Sequence, residues 1–193
     1  MNQIKIKHRL FENVVEIEEN VFSATYKGKK YTLLKFEPYT TDGDEICFSC
    51  KRIFSAGIKA PKLKWIDKKL GYIVREYVEG ESVMDLIMKD NLSEEIYKQL
   101  FLNAYLAKMN GMTLNYEPDK WLFANGVLYY VYPHFIIYNE AKDLVKSYLR
   151  LWFITKELLQ FASKLGLEFD KTRMKDEYTT NKEIVLMTCK YYK

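Results

Sequence analysis

Residues Leu114–Phe135 run LNYEPDKWLFANGVLYYVYPHF, a proline-containing loop followed by two apolar runs with a polar dipeptide between them. The dipeptide is Asn125-Gly126, and its neighbours are Trp121, Leu122 and Phe123 on one side and Val127 to Val131 on the other. Asn-Gly suits a type I′ turn because both central residues take positive φ. The spacing predicts a β-hairpin over residues 121–132 that is fed by a loop containing Pro118.

Working outward, the chain of 193 residues is long enough to bury a substantial core. With 48% hydrophobic and 29% charged residues it has the composition of an ordinary globular protein, enriched in tyrosine and phenylalanine. The net charge of +4 comes from scattered lysines and not from a block, so it does not argue for a nucleic-acid partner. No segment is apolar for long enough to cross a membrane, and the first residues lack the apolar stretch of a secretory signal. Together with an odd number of cysteines, three, this predicts a cytoplasmic protein. Cys47 and Cys50 form a C-x-x-C, but a zinc site needs two more ligands and only Cys189, His8 and His134 remain to supply them. The two cysteines read as small residues packed on one helix, and no metal site is expected.

Before the hairpin, residues 14–36 alternate in the manner of strands, giving three at about Val14–Ile17, Val21–Tyr26 and Tyr31–Phe36. Ile4 and Ile6, interleaved with Lys5, Lys7, His8 and Arg9, read as a first strand with a solvated face. A helix begins near Asp42 or Asp44, carries Glu45, and stops at Gly57. A second hairpin follows, from Pro61 to Val78, turning at Lys68-Lys69. Glu79 to Ser82 is a connector where strand character gives way to helix character. This places one lobe of sheet plus helix at residues 1–79 and a mostly helical lobe at 80–193. Ser82 or Ser93 is positioned to cap the helices Val83–Lys89 and Glu94–Asn110. After the hairpin, Asn139 caps a long helix from Glu140 to Leu165, and Asp170 opens a last one.

That order of elements is similar to the protein-kinase-like fold, an α+β bilobal architecture whose small lobe is a five-stranded antiparallel sheet with one helix. The wording Tyr31-Thr-Leu-Leu-Lys35-Phe and Tyr72-Ile-Val-Arg-Glu-Tyr-Val-Glu-Gly80 resembles small atypical kinases. Among these are the RIO-type kinases, the tRNA-modification-associated kinase and the aminoglycoside phosphotransferases. The resemblance implies that Lys35 is the strand lysine that meets nucleotide phosphates, Glu45 its helix-borne partner, and Glu76 and Val78 the hinge that would hold the nucleotide base.

The same resemblance makes Leu114–Phe135 the catalytic loop and metal-binding turn. Asn115 then stands where the catalytic aspartate belongs, Lys120 where the metal-binding asparagine belongs, and Tyr132 where the chelating aspartate belongs. None has the required chemistry: Asn115 cannot accept a proton as a carboxylate does, Lys120 repels a divalent cation, and Tyr132 offers one neutral oxygen. Residues 18–23, EENVFS, carry two carboxylates and no glycine where backbone amides would meet phosphate. The expectation is a pseudokinase that acts as a protein-binding or regulatory module, with no firm cofactor and with Trp121 and Tyr132 filling the nucleotide cleft. One alternative is an ATP- and Mg²⁺-dependent phosphotransferase in which Asp119, Glu117 or Asp143 has taken over metal binding. Another is an RNA-associated accessory protein. Asp119 and His134 are the remaining candidates for catalysis.

Overall fold

Alternation of apolar and polar residues builds six strands in the first part of the chain: β1 (Gln3–Ile6), β2 (Arg9–Glu18), β3 (Val21–Tyr26), β4 (Lys29–Lys35), β5 (Leu63–Asp67) and β6 (Tyr72–Glu76). They pair antiparallel in the order β1-β2-β3-β4-β6-β5, in a sheet curled into a half-barrel. The computed structural model describes residues 3–192, and the chain divides into two units. The first takes the chain up to Ser55 and again Ala60–Glu79; the second takes Ala56–Lys59 and the chain from Gly80 onward.

Side chains one residue apart on a strand point to opposite faces, and this separates two apolar clusters in the first unit. Leu33, Tyr72 and Val74 join Ile6, Phe11, Val14 and Ala24 on one face. Leu34, Phe36 and Ile73 meet Ile46 and Cys50 of helix α1 (Asp42–Ser55) on the other. The acidic residues Asp42, Asp44 and Glu45 lie in the first turn of α1, where the helix dipole favours negative charge. Gly71 closes the turn between β5 and β6 with φ of +69°, and a Cβ there would sit 2.1 Å from the Phe36 carbonyl oxygen. Its own carbonyl accepts the Phe36 N–H at 2.8 Å, which ties this turn to the end of β4.

The expected five-stranded sheet is therefore six-stranded, with Gln3–Ile6 as its edge. The strand expected from Val14 begins at Arg9. Asn13 takes φ of +53° and the register shifts between Glu12 and Val15, a bulge that breaks the alternation although Phe11 stays fully buried.

In the second unit, β7 (Glu81–Ser82) leads into α2 (Val83–Met88), where the Ser82 hydroxyl accepts the Met84 N–H at 3.2 Å. Helix α3 (Glu94–Met109) buries Ile96, Leu100, Ala104 and Ala107; Ser93 precedes it without a capping bond from its side chain. β8 (Met112–Thr113), β9 (Trp121–Ala124), β10 (Val127–Tyr130) and β11 (Ile136–Ile137) form two small sheets, β10-β9-β7 and β11-β8. Asn125 and Gly126 turn between β9 and β10 with φ of 51° and 78°. The incoming segment Ala56–Lys59 packs here, with Ile58 buried and the Lys59 carbonyl accepting the Tyr130 N–H at 2.9 Å.

The single helix expected from Glu140 to Leu165 is broken into pieces. Asn139, Asp143 and Thr155 each accept a backbone N–H two or three residues ahead, so three successive caps restart the chain. Between them lie short 3₁₀ and π turns, and only Lys156–Lys164 forms α-helix, α4. The apolar spacing survives the breaks, since Leu144, Leu149, Trp152 and Leu158 are all fully buried. Likewise Asp170 caps only a 3₁₀ turn, and the last helix α5 (Glu177–Tyr191) begins later, with Asp176 as its cap. Among the described residues, no helix is long and apolar enough to cross a membrane.

Candidate functional site

The loop ahead of the hairpin is held by its own polar groups. Asn115 Oδ1 accepts the Glu117 N–H at 3.0 Å, and its Nδ2 donates to Glu117 Oε2 at 2.8 Å. The Asn115 N–H donates to the Tyr130 hydroxyl at 3.0 Å, and its carbonyl accepts the Trp121 indole N–H at 3.1 Å. All four hydrogen-bonding groups of Asn115 are thus engaged within residues 115–130. Pro118 to Lys120 then make one 3₁₀ turn into β9, the fixed φ of proline suiting its first position.

Tyr130 joins both ends of the stretch. Its hydroxyl, which accepts from Asn115, donates to the His134 carbonyl at 2.7 Å. The ring is fully buried, 4.8 Å from Trp121, and burial pushes the phenol well above the ordinary tyrosine range. It therefore stays protonated and serves as a pin. Tyr130→Phe removes both bonds and should cost about 1–3 kcal/mol in urea denaturation while leaving the hairpin register unchanged. A loss of less than a few tenths would show that the pin is dispensable.

Next to this pin, Lys120 Nζ lies 2.5 Å from Asp119 Oδ2, with both side chains mostly shielded from solvent. The other oxygen, Asp119 Oδ1, is buried without a hydrogen-bond partner among the described residues. Lys120 also lies 5.7 Å from the centre of the Tyr132 ring, which in turn is 5.2 Å from the His134 ring. Tyr132 is 37% exposed, whereas Trp121 is fully buried against Tyr116, Tyr130 and Trp152. The expectation that Trp121 fills a nucleotide cleft is thereby corrected: it is a core residue of the second unit. An open cavity of about 220 Å³ adjoins the loop, lined by Asn115, Tyr132, His134, Lys142 and Tyr148 among others.

The structure brings Asn115, Asp119, Lys120, Tyr132 and His134 into one neighbourhood, but it does not join Lys35 to Glu45. Lys35 is exposed and follows Leu33 by two, which places it on the sheet face opposite α1. Glu45 is exposed on α1 itself, and among the described residues no ion pair connects the two. Glu76 instead pairs with Lys64 at 2.6 Å, and its N–H donates to the Lys62 carbonyl. Val78 is half-buried just beyond the end of β6.

Two residues that hold the site were not distinguished in the sequence. Tyr130 could have been found from the alternation of β10, which turns Leu128 and Tyr130 inward, but nothing marked its hydroxyl as a bridge. Glu117, in sequence a candidate metal ligand, is the hydrogen-bond partner of Asn115. Among the described residues, no group of three or more histidine, cysteine or acidic side chains is gathered so as to hold a metal ion. No family model matches the chain, and no curated protein matches it.

Proposed function

We propose that this protein is a catalytically degenerate, kinase-like protein with a bilobal fold, which works as a protein-binding or regulatory module. The six-stranded sheet with α1 corresponds to the small lobe of such a fold, and the second unit to the large one. The observation that carries the reading is the internal engagement of the loop: Asn115 is tied to Glu117, Tyr130 and Trp121, and Lys120 to Asp119. These are the positions where a phosphotransferase of this fold needs a free carboxylate and a metal ligand. The placement of Lys35 on the sheet face opposite α1 supports the same reading, because a phosphate-binding lysine there lacks its helix-borne carboxylate. A binding role draws support from apolar side chains left in solvent on α5, with Tyr178, Val185 and Leu186 each more than half exposed.

A second reading rests on Asp119, whose Oδ1 is buried and has no hydrogen-bond partner among the described residues. It is an atypical phosphotransferase in which a metal ion displaces Lys120 from that carboxylate. Incubation with γ-labelled ATP, Mg²⁺ or Mn²⁺ and general protein acceptors separates the two. The expected result is no transfer of label above background for the wild type. Transfer that Asp119→Asn abolishes and Lys120→Ala increases would establish the second reading instead.

A further inference from the structure

A cavity of about 310 Å³ opens in the second unit between the end of α2, the start of α3, residues 152–154 and α5. None of its lining residues belongs to Leu114–Phe135, so it is separate from the loop that carries Asn115. Its inner wall is apolar: Ile87, Tyr97, Trp152 and Phe153 line it, and each is less than a tenth exposed. The polar atoms of this wall are already used. The Tyr97 hydroxyl donates to the Trp152 carbonyl at 2.7 Å, and the Trp152 indole N–H donates to the Tyr116 carbonyl at 2.7 Å. Stacking of Tyr97 on Phe153, with ring centres 5.2 Å apart, fixes the two rings that a guest would meet. The volume is that of the smaller sites for organic ligands, which run from about 300 to 1,000 Å³.

Three charged side chains also line the cavity, Asp90, Lys175 and Glu183. Glu183 accepts from Lys175 Nζ at 2.5 Å, and these two charges cancel. Asp90 has no such partner among the described residues. Arg173 Nη2 lies 3.9 Å from Asp90 Oδ2, beyond hydrogen-bond distance, while Arg173 Nη1 donates to the Met88 carbonyl. Burial raises the Tyr97 phenol above the ordinary tyrosine range, and the charges of Glu183 and Asp90 add to the rise, so both are felt inside the cavity and not only at the surface. One carboxylate in excess beside an apolar aromatic wall is complementary to a single positive charge on an apolar body. A carboxylic acid of the same shape meets Asp90 as a like charge, and it reaches Lys175 only by displacing Glu183.

We propose that this cavity binds a small primary amine with an aromatic body. The ammonium pairs with Asp90, and the ring lies against Tyr97 and Phe153. Binding is non-covalent and leaves the Lys175–Glu183 pair in place.

The test follows the amide NMR spectrum of the whole chain during titration with phenethylamine, hydrocinnamate and phenethyl alcohol, which share a ring and differ in charge. Saturable shifts are expected with phenethylamine at residues 152–154 and 183–187, with roughly tenfold weaker binding of hydrocinnamate and the alcohol in between. Asp90→Asn is expected to weaken the amine about threefold, and Lys175→Gln, which leaves Glu183 uncompensated, to tighten it by about as much. Both side chains are exposed, and Asn tolerates the positive φ of residue 90, so both variants should fold. Absence of saturable shifts with phenethylamine, equal or tighter binding of hydrocinnamate, shifts centred on residues 114–135, or an unchanged affinity in either variant would each overturn the proposal.

Discussion

Trp121→Ala is expected to destabilise the second unit by about 3–5 kcal/mol, the range for truncating a large aromatic in a packed core. Trp121 is fully buried, with ring centres 4.8 Å from Tyr130, 6.1 Å from Trp152 and 6.3 Å from Tyr116. Alanine leaves a cavity that three other aromatic rings cannot close together, since each is fixed by its own hydrogen bond or by β-pairing. Trp152, for example, donates its indole N–H to the Tyr116 carbonyl at 2.7 Å. The substitution also frees the Asn115 carbonyl, so the loop should loosen along with the core. Trp121→Phe keeps most of the volume and loses only the indole N–H, and about 1–2 kcal/mol is expected for it. Urea denaturation measures both, and a loss below 1 kcal/mol for the alanine variant would show that Trp121 is not the centre of this core.

Arg75, on β6, is 4% exposed, and its buried Nε–H has no hydrogen-bond partner among the described residues; Arg75→Met should act in the opposite direction, raising stability by about 1–4 kcal/mol. Met has a similar length and fits the aliphatic path of the arginine, while removing a charge that meets no carboxylate among the described residues. The apolar residues around the site, Leu34, Phe36, Ile46 and Ile73, would then pack against a neutral side chain. Denaturant unfolding with an unchanged m value is the measurement. Destabilisation by several kcal/mol would mean that the guanidinium is already paired with an anion in the native protein.

The hairpin was legible because Asn125-Gly126 states its turn in two residues, and both do take positive φ. Helix α1 was legible for a similar reason: acidic residues crowd its first turn, and Ile46, Cys50 and Ile53 fall on one face. Where a local signal conflicts with the average pattern, reading fails. Asn13 hides the first half of β2 because a bulge shifts the alternation by one place. Residues 140–165 keep helical apolar spacing, yet the side-chain oxygens of Asn139, Asp143 and Thr155 compete for backbone N–H groups and divide the segment.

The site was harder to see than the fold. Asn115, Lys120 and Tyr132 were identified by the chemistry they lack, and that depends on residue type alone. What they do instead depends on partners: Glu117, Asp119 and Tyr130 come within hydrogen-bonding or ion-pair distance only because the 3₁₀ turn and hairpin fold the loop back on itself. Lys35 shows the limit from the other side. Its flanking residues suit a phosphate-binding strand, but which face it occupies is settled by strand register and by where α1 packs. Arg75 gave no signal, since an arginine between Val74 and Glu76 reads as an ordinary strand residue with a solvated head.

The central claim is that the loop from Asn115 to Tyr132 is closed on itself and leaves no working nucleotide and metal site. Thermal unfolding of the whole chain across a titration with ATP, with Mg²⁺, with Mn²⁺ and without metal, tests it most directly. A ligand present at a hundred times its dissociation constant stabilises a protein by about 2.7 kcal/mol, a shift easily seen. The account predicts no change in melting temperature up to millimolar nucleotide with either metal. A metal-dependent rise that saturates with ATP and disappears in Lys35→Ala would contradict it.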